Sequence, residues 1–430
     1  MRGELKLEER ADHLPDGWEQ VSIGDVCELG GGKTPRKSNS DYWGGDIPWA
    51  SPKDFNGVSL SETEDNLTEK GSSENGVNRY KPGDIAMVVR SGVLRHSLPV
   101  ARLTTEMAVN QDVKVLQPKT ERITSKYLLN ILLYEANRIR ASCAKTGTTV
   151  ESIETGFLKA YKIPLPPLSE QHRIANILAT TDEQIHQVDK KIEKTEELKR
   201  GLVQDLLVRQ GSESPQSVRF GPLKVDIPDS WTVTTMEEIC TSRQLGTSER
   251  GDPDDDGVSL IKMGNLGIGT WDLTDVETIR HSEDILDKCE LKQGDLLFNT
   301  RNSPDLVGKT AVWEFDSPAV FDNNLLRLRF NSEVYDSRFI NLYLSSDLGR
   351  NYLQSLVHGT TSVAAIYWKD LKNLKVPLPA LDVQRQIVNL MDSIDSQIST
   401  EREYKRSLQE LKRGLMQDLL TGDVRVTTDS

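Results

Sequence analysis

The 430-residue sequence lacks features that define several common protein classes. Its four cysteines, Cys27, Cys143, Cys240 and Cys289, do not have the paired spacing of a zinc site or a disulfide framework. No apolar run reaches the roughly 20 residues that cross a membrane, and the charged N-terminus has no signal-peptide apolar stretch. These absences predict a cytoplasmic protein with free thiols.

Positive charge is also scarce, because 53 Lys and Arg residues face 66 Asp and Glu residues, for a formal net charge of −13. A nucleic-acid-binding protein usually has a basic patch, so any such surface must be local here. The sequence contains no Asn/Asp-Pro-Pro-Tyr/Phe methyltransferase tetrapeptide, and its six histidines are scattered. We therefore expect no active site, cofactor or metal on this chain.

Two short motifs come close to known ligand-binding loops. Gly30–Thr34 resembles a phosphate-binding loop, but Cys27 stands where its first glycine belongs and Pro35 prevents the helix start. We interpret it as a flexible glycine loop, close to any nucleic acid that the chain binds. Asp252–Gly257 resembles the start of a calcium loop, but Met263 occupies the twelfth position, where a glutamate is required. It is predicted to be a solvated acidic loop.

The strongest positive signal is an internal repeat. Ile163–Gln171 matches Val376–Gln384, and Leu198–Leu207 matches Leu411–Leu420, both at an offset of 213 residues. The second pair differs only at Val203, where the other copy has a methionine. Weaker matches at offsets of 211 to 213 are Pro15–Trp18 with Pro228–Trp231, Lys81–Ile85 with Lys292–Leu296, and Gly147–Thr149 with Gly359–Thr361. The two halves are therefore expected to share one fold.

The halves differ most between these matching motifs. Ser38–Gly76 and Gly246–Asp287 have little in common beyond a short hydrophobic pattern. One scaffold with two divergent surfaces predicts two binding sites with different specificities. Simple drift after duplication is the alternative explanation.

A long helix is predicted after each Pro-Leu-Pro motif, with Ser169 and Asp382 as N-caps and Gly211 and Gly422 at the ends. The apolar seam has heptad spacing, which is typical of a coiled coil. The seam positions are Ile174, Leu178, Thr181, Ile185, Val188, Ile192 and Thr195 in one helix, and Ile387, Met391, Ile394, Ile398, Leu408 and Leu415 in the other.

Each helix would be about 40 residues and roughly 60 Å long, and would expose its apolar seam unless the two seams pair. Pairing of like surfaces about a two-fold axis makes the helices antiparallel. The globular domains would then lie at opposite ends, related by a pseudo-two-fold. Gly201 and Gly414, at equivalent positions inside the helices, predict a close backbone approach, with local fraying as the alternative.

With these features the chain resembles the specificity subunit of Type I restriction–modification systems. The resemblance extends over almost all of the chain and rests on the tandem arrangement and on five motifs. These are Leu14–Trp18, Gly83–Ile85, Gly147–Thr149, Pro164–Leu168 and Leu198–Leu202. It implies an α/β (α+β) fold with two target recognition domains in tandem, separated by two long helices that form an antiparallel coiled coil with a pseudo-two-fold.

The resemblance also implies a function. The chain would be the non-catalytic subunit that recognises an asymmetric, bipartite double-stranded DNA site. Two modification subunits would bring S-adenosylmethionine and methylate adenine N6, while restriction subunits would add ATP- and Mg-dependent translocation and cleavage in host defence. A freestanding DNA methyltransferase and a coiled-coil adaptor that does not bind DNA are the alternatives.

The predicted domain organisation follows the repeat. It comprises an N-terminal extension (1–13), target recognition domain 1 (14–168), spacer helix 1 (169–210), a linker (211–217), target recognition domain 2 (218–381), spacer helix 2 (382–421) and a tail (422–430).

Candidate DNA-binding residues are cationic, hydroxyl and amide side chains in predicted loops. Arg90 and Arg301 stand out because both copies have an arginine after the same Gly-Asp strand. The first domain contributes Lys33, Thr34, Arg36, Lys37, Arg90, Ser91, Arg95, Lys145, Thr148 and Thr149, and the second contributes Arg243, Lys262, Arg301, Asn302, Lys309, Thr360 and Thr361. Because the chain is acidic, we expect it to bind DNA weakly without its partners.

Overall fold

The structure is a computed structural model that describes residues 14–144, 151–208, 215–251, 257–280, 283–359 and 363–426. The chain folds into two compact units, Met1–Asp189 with Tyr404–Ser430, and Lys190–Glu403. Leaving out the two longest helices, we call the rest of the first unit the first domain and the rest of the second unit the second domain. Both contain strands and helices, so the predicted mixed α/β fold in tandem is confirmed.

In the residues that the structure describes, the first domain contains short strands, four α-helices and short 3-10 helices. Its strands are β1 (Glu19–Ser22), β2 (Cys27–Gly31), β3 (Trp43–Ala50), β4 (Ser59–Leu60), β5 (Asn66–Leu67), β6 (Arg79–Tyr80), β7 (Ile85–Val88), β8 (Val100–Leu103), β9 (Met107–Val109), β10 (Val113–Pro118) and β11 (Lys162–Leu165). Its helices are α1 (Ile23–Val26), α2 (Glu69–Glu74), α3 (Ser125–Ser142) and α4 (Thr155–Ala160).

The main sheet of the first domain has the strand order β2-β10-β7-β8-β4. Its central strand β7 is buried on both faces, because alternate residues of a strand point to opposite sides. Ile85 and Met87 join the core that contains α3, whereas Ala86 and Val88 join a second core. A second sheet, β5-β3-β9-β6, contains the parallel pair β3 and β9.

The second domain follows the same plan. Its strands are β12 (Gln216–Phe220), β13 (Leu223–Ile227), β14 (Thr232–Thr235), β15 (Cys240–Leu245), β16 (Val258–Ile261), β17 (Glu277–Ile279), β18 (Leu296–Asn299), β19 (Arg301–Asn302), β20 (Thr310–Val312), β21 (Ala319–Phe321), β22 (Leu325–Phe330), β23 (His358–Gly359), β24 (Ala364–Ala365) and β25 (Lys375–Leu378). Its helices are α6 (Met236–Ile239), α7 (Glu283–Cys289), α8 (Ser337–Ser345), α9 (Asp347–Gln354) and α10 (Trp368–Leu371).

The two domains share their sheet topology even where their sequences diverge. The order β15-β22-β18-β20 reproduces β2-β10-β7-β8 of the first domain. Within the divergent segments, β16 pairs in parallel with β21 and antiparallel with β17, as β3 pairs with β9 and β5. The hairpin of β12 and β13 begins at Gln216, within the segment that the sequence suggested as a linker.

Two long helices, α5 (Leu168–Val208) and α11 (Leu381–Thr421), follow the domains. The predicted N-caps are wrong, because Ser169 and Asp382 lie inside the helices. In α5 the carbonyl of Pro167 already accepts the backbone N–H groups of Glu170 and Gln171, at 2.9 and 3.0 Å. The helices therefore begin directly after proline or alanine, without a side-chain cap from these two residues.

The repeated glutamine of this motif fastens each helix to its domain. Gln171 is fully buried, accepts the backbone N–H of Thr124 at 2.8 Å, and donates to two carbonyls. Gln384 is equally buried and accepts the backbone N–H of Asp336 at 2.9 Å. A buried amide with all of these bonds made is costly to remove, which gives the repeated motif a structural role.

The predicted seam positions are buried or half-buried, whereas many of the residues between them are exposed. In the first unit, ion pairs join Asp182 to Lys412 and Asp189 to Lys405. In the second unit, ion pairs join Lys199 to Asp395 and Lys191 to Glu401. Within each unit, residue numbers therefore increase along α5 while the residue numbers of the ion-pair partners in α11 decrease. 

The predictions for the helix glycines have different outcomes. A Cβ added at Gly201 or Gly414 would meet no atom within 4 Å, so the expected close backbone approach is wrong. Gly422 ends α11 with a φ of +84°, as predicted for a helix-ending glycine. Gly211 lies outside the described residues.

The repeated Gly-Asp motif forms a turn before the central strand of each main sheet. Asp84 accepts the backbone N–H of Lys81, and Asp295 accepts that of Lys292, both at 2.9 Å. The intervening glycine has a φ of +100° in the first turn and +86° in the second, a region that favours glycine. The motif thus has a structural role in a turn and does not by itself indicate a ligand.

Candidate nucleic-acid interface

One end of the first main sheet gathers three connecting segments. β2 ends at Gly31 opposite Lys114, while β7 ends at Val88 opposite Val113, and β10 starts there. Because β10 is antiparallel to both neighbours, the loop after β2, the loop after β7 and the turn before β10 lie at the same end of the sheet. Most of the first-domain candidates lie in these segments.

The turn before β10 joins the two loops. The hydroxyl of Thr34 donates to the side-chain oxygen of Gln111. The next residue, Asp112, accepts the backbone N–H of Arg90 through its carbonyl at 3.2 Å, and its carboxylate lies 3.9 Å from the Arg90 guanidinium. The structure therefore brings Thr34 and Arg90 to neighbouring residues of one turn, which sequence reasoning did not include.

Most of the remaining first-domain candidates are exposed around these contacts. The amino group of Lys33 donates to the carbonyl of Asn75 at 3.3 Å, and Ser91 caps the short helix Gly92–Arg95. The Arg90 side chain is 63% exposed, so most of it remains available to a ligand. Other exposed side chains in this group are Arg36, Lys37 and Arg95.

The glycine run of the first loop is packed, which corrects its interpretation as a flexible loop. A Cβ at Gly32 would lie 1.7 Å from the carbonyl oxygen of Val109. Gly246 of the second domain has the same environment, since its Cβ would lie 2.1 Å from the carbonyl oxygen of Phe321. Close backbone approach explains these two glycines without a phosphate ligand.

The second main sheet gathers the equivalent segments. β15 ends at Leu245 opposite Leu326, and β18 ends at Asn299 opposite Leu325. Thr247 forms a bridge with Asp322, and the Thr300 backbone N–H donates to the carbonyl of Asn324 at 2.9 Å. The turn before β22 therefore joins the two loops, as the turn before β10 does in the first domain.

The two predicted arginines occupy equivalent positions in these ends. Arg90 forms an antiparallel bridge with Ser152, and Arg301 in β19 pairs with Ala365 in β24. The partners are 365 − 152 = 213 residues apart, which is the offset of the repeat. Both arginine side chains are exposed. The structure thus places one exposed arginine at the same point of both domains.

The other second-domain candidates are in varied surroundings. Lys262 forms an ion pair with Glu277, and the Asn302 amide donates to the side chain of Asn299 at 3.0 Å. Lys309 is buried, and its burial, together with the nearby Arg350, lowers its pKa. A buried lysine is less suited to a phosphate than the exposed arginines are.

Arg243 lies within β15, where its guanidinium stacks over the ring of Trp368 at 4.8 Å. Sequence reasoning did not select the aromatic residues of this region, because a single tyrosine or tryptophan carries no motif. The predicted contacts Lys145, Thr148, Thr149, Thr360 and Thr361, and the acidic run Asp252–Asp256, lie outside the described residues.

The four cysteines are free, and three of them, Cys27, Cys143 and Cys289, are buried. Burial raises the pKa of Cys27 to about 12 and that of Cys143 to about 11, so neither is a reactive thiolate at neutral pH. Among the residues that the structure describes, no cluster of His, Cys, Asp and Glu side chains could hold a metal ion. Within the same residues, no helix combines the length and apolar character needed to span a membrane.

The fold defines a tandem protein whose two domains each have a surface at the same end of the main sheet. The family model for the Type I restriction modification DNA specificity domain matches residues 15–197 and 228–410. The two matched segments are 213 residues apart, as the repeat is. The chain therefore belongs to the family of Type I restriction–modification DNA specificity domains and contains two copies.

Individual relatives agree with this assignment. The chain is 27% identical, over 96% of its length and 94% of the relative, to the Type I restriction enzyme MjaVIII specificity subunit of Methanocaldococcus jannaschii. It is 33% identical to the EcoR124I/EcoR124II specificity subunit of Escherichia coli, over 45% of each chain.

Solved structures show the same fold. A chain from a study of complex assembly and conformational transition of the type I R-M system matches with a TM-score of 0.61 and 20% identity, over 96% of this chain and 100% of that one. The S subunit of a Type I restriction–modification system from M. genitalium matches with a TM-score of 0.55 and 17% identity, over 98% and 99%.

Proposed function

We propose that this chain is the non-catalytic DNA-recognition subunit of a Type I restriction–modification complex. Each domain would recognise one part of an asymmetric, bipartite site, and partner subunits would methylate adenine N6 and restrict unmodified DNA. The observation that carries the proposal is the pair of equivalent sheet ends, each with an exposed arginine, Arg90 or Arg301, beside loops of different sequence. An arginine at the same position in both domains, next to loops of different sequence, suits two domains that recognise different DNA sequences.

The DNA-binding surface would consist of the exposed candidates at these sheet ends. Arginine and lysine contact phosphates and guanine, while asparagine, serine and threonine contact phosphates or base edges. We propose contacts by Lys33, Thr34, Arg36, Lys37, Arg90, Ser91 and Arg95 in the first domain, and by Arg243, Lys262, Arg301 and Asn302 in the second. The domain boundaries predicted from the repeat remain part of this proposal.

The two long helices would form an antiparallel coiled coil with a pseudo-two-fold axis. Two ion pairs support this arrangement, because Lys199–Asp395 of one unit and Asp182–Lys412 of the other are related by the repeat offset: 412 − 199 = 213 and 395 − 182 = 213. Each 41-residue helix is roughly 60 Å long, so the coiled coil would set the spacing between the two parts of the DNA site.

The same helices would bind the partner subunits. Leu198 and Leu411 are repeated leucines that are 58% and 53% exposed, next to the open Gly201 and Gly414. Two equivalent exposed leucines fit two copies of one partner, which corresponds to two modification subunits. S-adenosylmethionine, ATP and Mg would then be bound by the partners. Such a complex would act in the cytoplasm.

The proposal is tested by methylome sequencing of DNA from cells that express this chain with its modification subunit. We expect N6-methyladenine on both strands of a split, asymmetric motif, and no methylation when this chain is omitted. Methylation at an unsplit site, or methylation that persists without this chain, would show that the two domains do not select the site.

A further inference from the structure

The second domain contains a surface of aromatic and basic residues beside Arg301, which we call the aromatic–basic patch. It comprises Arg243, His358, Tyr367, Trp368 and Lys369. We propose that this patch binds the phosphodiester backbone of duplex DNA next to the site that the second domain recognises. The proposal deepens the proposed function and depends on it.

The small sheet β19-β24-β23 positions the patch next to Arg301. Ala365 of the middle strand pairs with Arg301 on one side and with His358 on the other. Directly paired residues of neighbouring strands lie on the same face, so these two side chains flank the small Ala365. Tyr367 is two residues further along the chain. The patch therefore continues from the arginine that the repeat identifies.

The patch is held in place by contacts among its own members. The Arg243 guanidinium stacks over the Trp368 ring at 4.8 Å, and the Lys369 amino group lies 5.7 Å from the centre of the Tyr367 ring. The rings of His358 and Tyr367 are 6.1 Å apart, and a nitrogen of His358 lies 3.1 Å from Asp370. Cations stacked on aromatic rings lose less conformational freedom when they bind a ligand.

The chemistry of the patch suits DNA better than an apolar partner. Tyr367 is 48% exposed, and the Lys369 amino group lies beside its ring. Guanidinium and amino groups pair with phosphates, while an exposed ring can pack on a sugar or base. In a chain with a net charge of −13, such a cluster is a local basic surface of the kind that DNA binding requires.

Among the residues that the structure describes, the first domain lacks the aromatic and basic side chains of this patch. At the repeat offset of 213, Glu154 stands in place of Tyr367, Gly156 in place of Lys369, and Gly30 in place of Arg243. The arginine at the sheet end, in contrast, is present in both domains. The patch thus predicts that the second domain holds the DNA backbone by contacts that the first domain does not make.

The test measures binding of the complete complex with the modification subunits to a duplex that contains its methylated motif, over a series of salt concentrations. Lys369→Gln and Arg243→Gln are each expected to weaken binding roughly fivefold near 0.15 M salt and to reduce the salt slope by about 0.9, as for one lost phosphate contact. Tyr367→Ala is expected to weaken binding about tenfold, toward the lower end of the range for a ring that stacks on nucleic acid.

Matched controls lie before β18 and after β20 of the second main sheet. Lys292→Gln and Phe315→Ala remove an exposed lysine and an exposed aromatic ring there, and both should bind DNA as the unchanged complex does. Lys369→Arg keeps the charge and should restore binding. Thermal unfolding identifies any variant that has lost its fold. If one has, Lys369→Glu replaces it in the binding test, because the side chain of Lys369 is exposed and the change should leave the fold intact.

The outcomes separate this inference from the proposed function. If the unchanged complex shows no preference for its motif, the proposed function fails. If the unchanged complex is specific but the patch variants bind with the same affinity and salt slope, the patch does not contact DNA. If the variants instead weaken assembly with the modification subunit, the patch is a protein interface and the inference is wrong.

Discussion

The two domains of this chain differ in a way that separates scaffold from specificity. Their matching motifs have structural roles: Gln171 and Gln384 fasten the helices, and Asp84 and Asp295 close the turns before the central strands. Their loops differ in sequence at the ends of equivalent sheets, although an exposed arginine lies at the same point of both domains. Repeated residues therefore describe how the chain folds, and unrepeated residues around them are the better candidates for what each domain recognises.

The closest backbone contacts should give the largest effect, and an equal one in both domains. Gly32→Ala and Gly246→Ala each place a Cβ within about 2 Å of a carbonyl oxygen, so the backbone must move. We expect each to lower the free energy of unfolding by about 3 kcal/mol, measured by denaturant unfolding. Gly57→Ala and Gly264→Ala are matched controls in open space. If either the Gly32→Ala or the Gly246→Ala variant is as stable as the wild type, the backbone at that sheet end does not approach the glycine as closely as described.

The buried glutamines should give the next largest effect. Gln171→Ala and Gln384→Ala leave a backbone N–H unpaired, that of Thr124 or Asp336, and we expect a loss of about 2–3 kcal/mol. Thermal unfolding measures this loss, and Gln187→Ala on the exposed helix surface serves as the control. A much larger loss of stability in one variant than in the other would show that the two glutamines do not attach their helices in the same way.

Alanine at the open helix glycines should stabilise the protein. Gly201→Ala and Gly414→Ala remove the unfavourable helix propensity of glycine, by up to about 1 kcal/mol each, because no atom obstructs the added Cβ. Thermal unfolding of the chain alone measures the gain. If the same variants assemble poorly with the modification subunit, the glycines serve the partner interface. A loss of stability in the isolated chain would contradict the open surroundings.

The symmetric ion pairs should give the smallest effect. Double-mutant cycles on Lys199 with Asp395 and on Lys412 with Asp182 are expected to yield about 0.5 kcal/mol or less, since both pairs are partly solvent-exposed. Equal coupling energies, both reduced by salt, would sharpen the pseudo-two-fold proposal. Coupling in one pair but not in the other would limit the symmetry to the domains.

The sequence was sufficient to predict the tandem organisation, because motifs that recur at offsets of 211 to 213 residues identify a duplication directly. It also indicated which helix positions are buried, since Ile174 and Leu178 join the core of the first domain and Ile387 and Met391 join that of the second. It did not predict the role of Gly32, because a glycine in close contact and a glycine in a flexible loop look the same in sequence.

The candidate surface was predictable only in part. Arg90 and Arg301 could be selected because the repeat aligns them. The turn residues Gln111 and Asp112, and the patch residues Tyr367 and Trp368, could not, since distant chain segments bring them to the sheet ends. The burial of Lys309 was likewise invisible, because a lysine in a loop is usually exposed.

The central claim is that each domain recognises its own part of one split site. It is tested most directly by replacing residues 15–167 with a second copy of residues 228–380 and sequencing the methylome of cells that also express the modification subunit. The account predicts a new, symmetric motif made of two inverted copies of the half-site that the second domain recognises. Methylation that remains at the original asymmetric motif would contradict it.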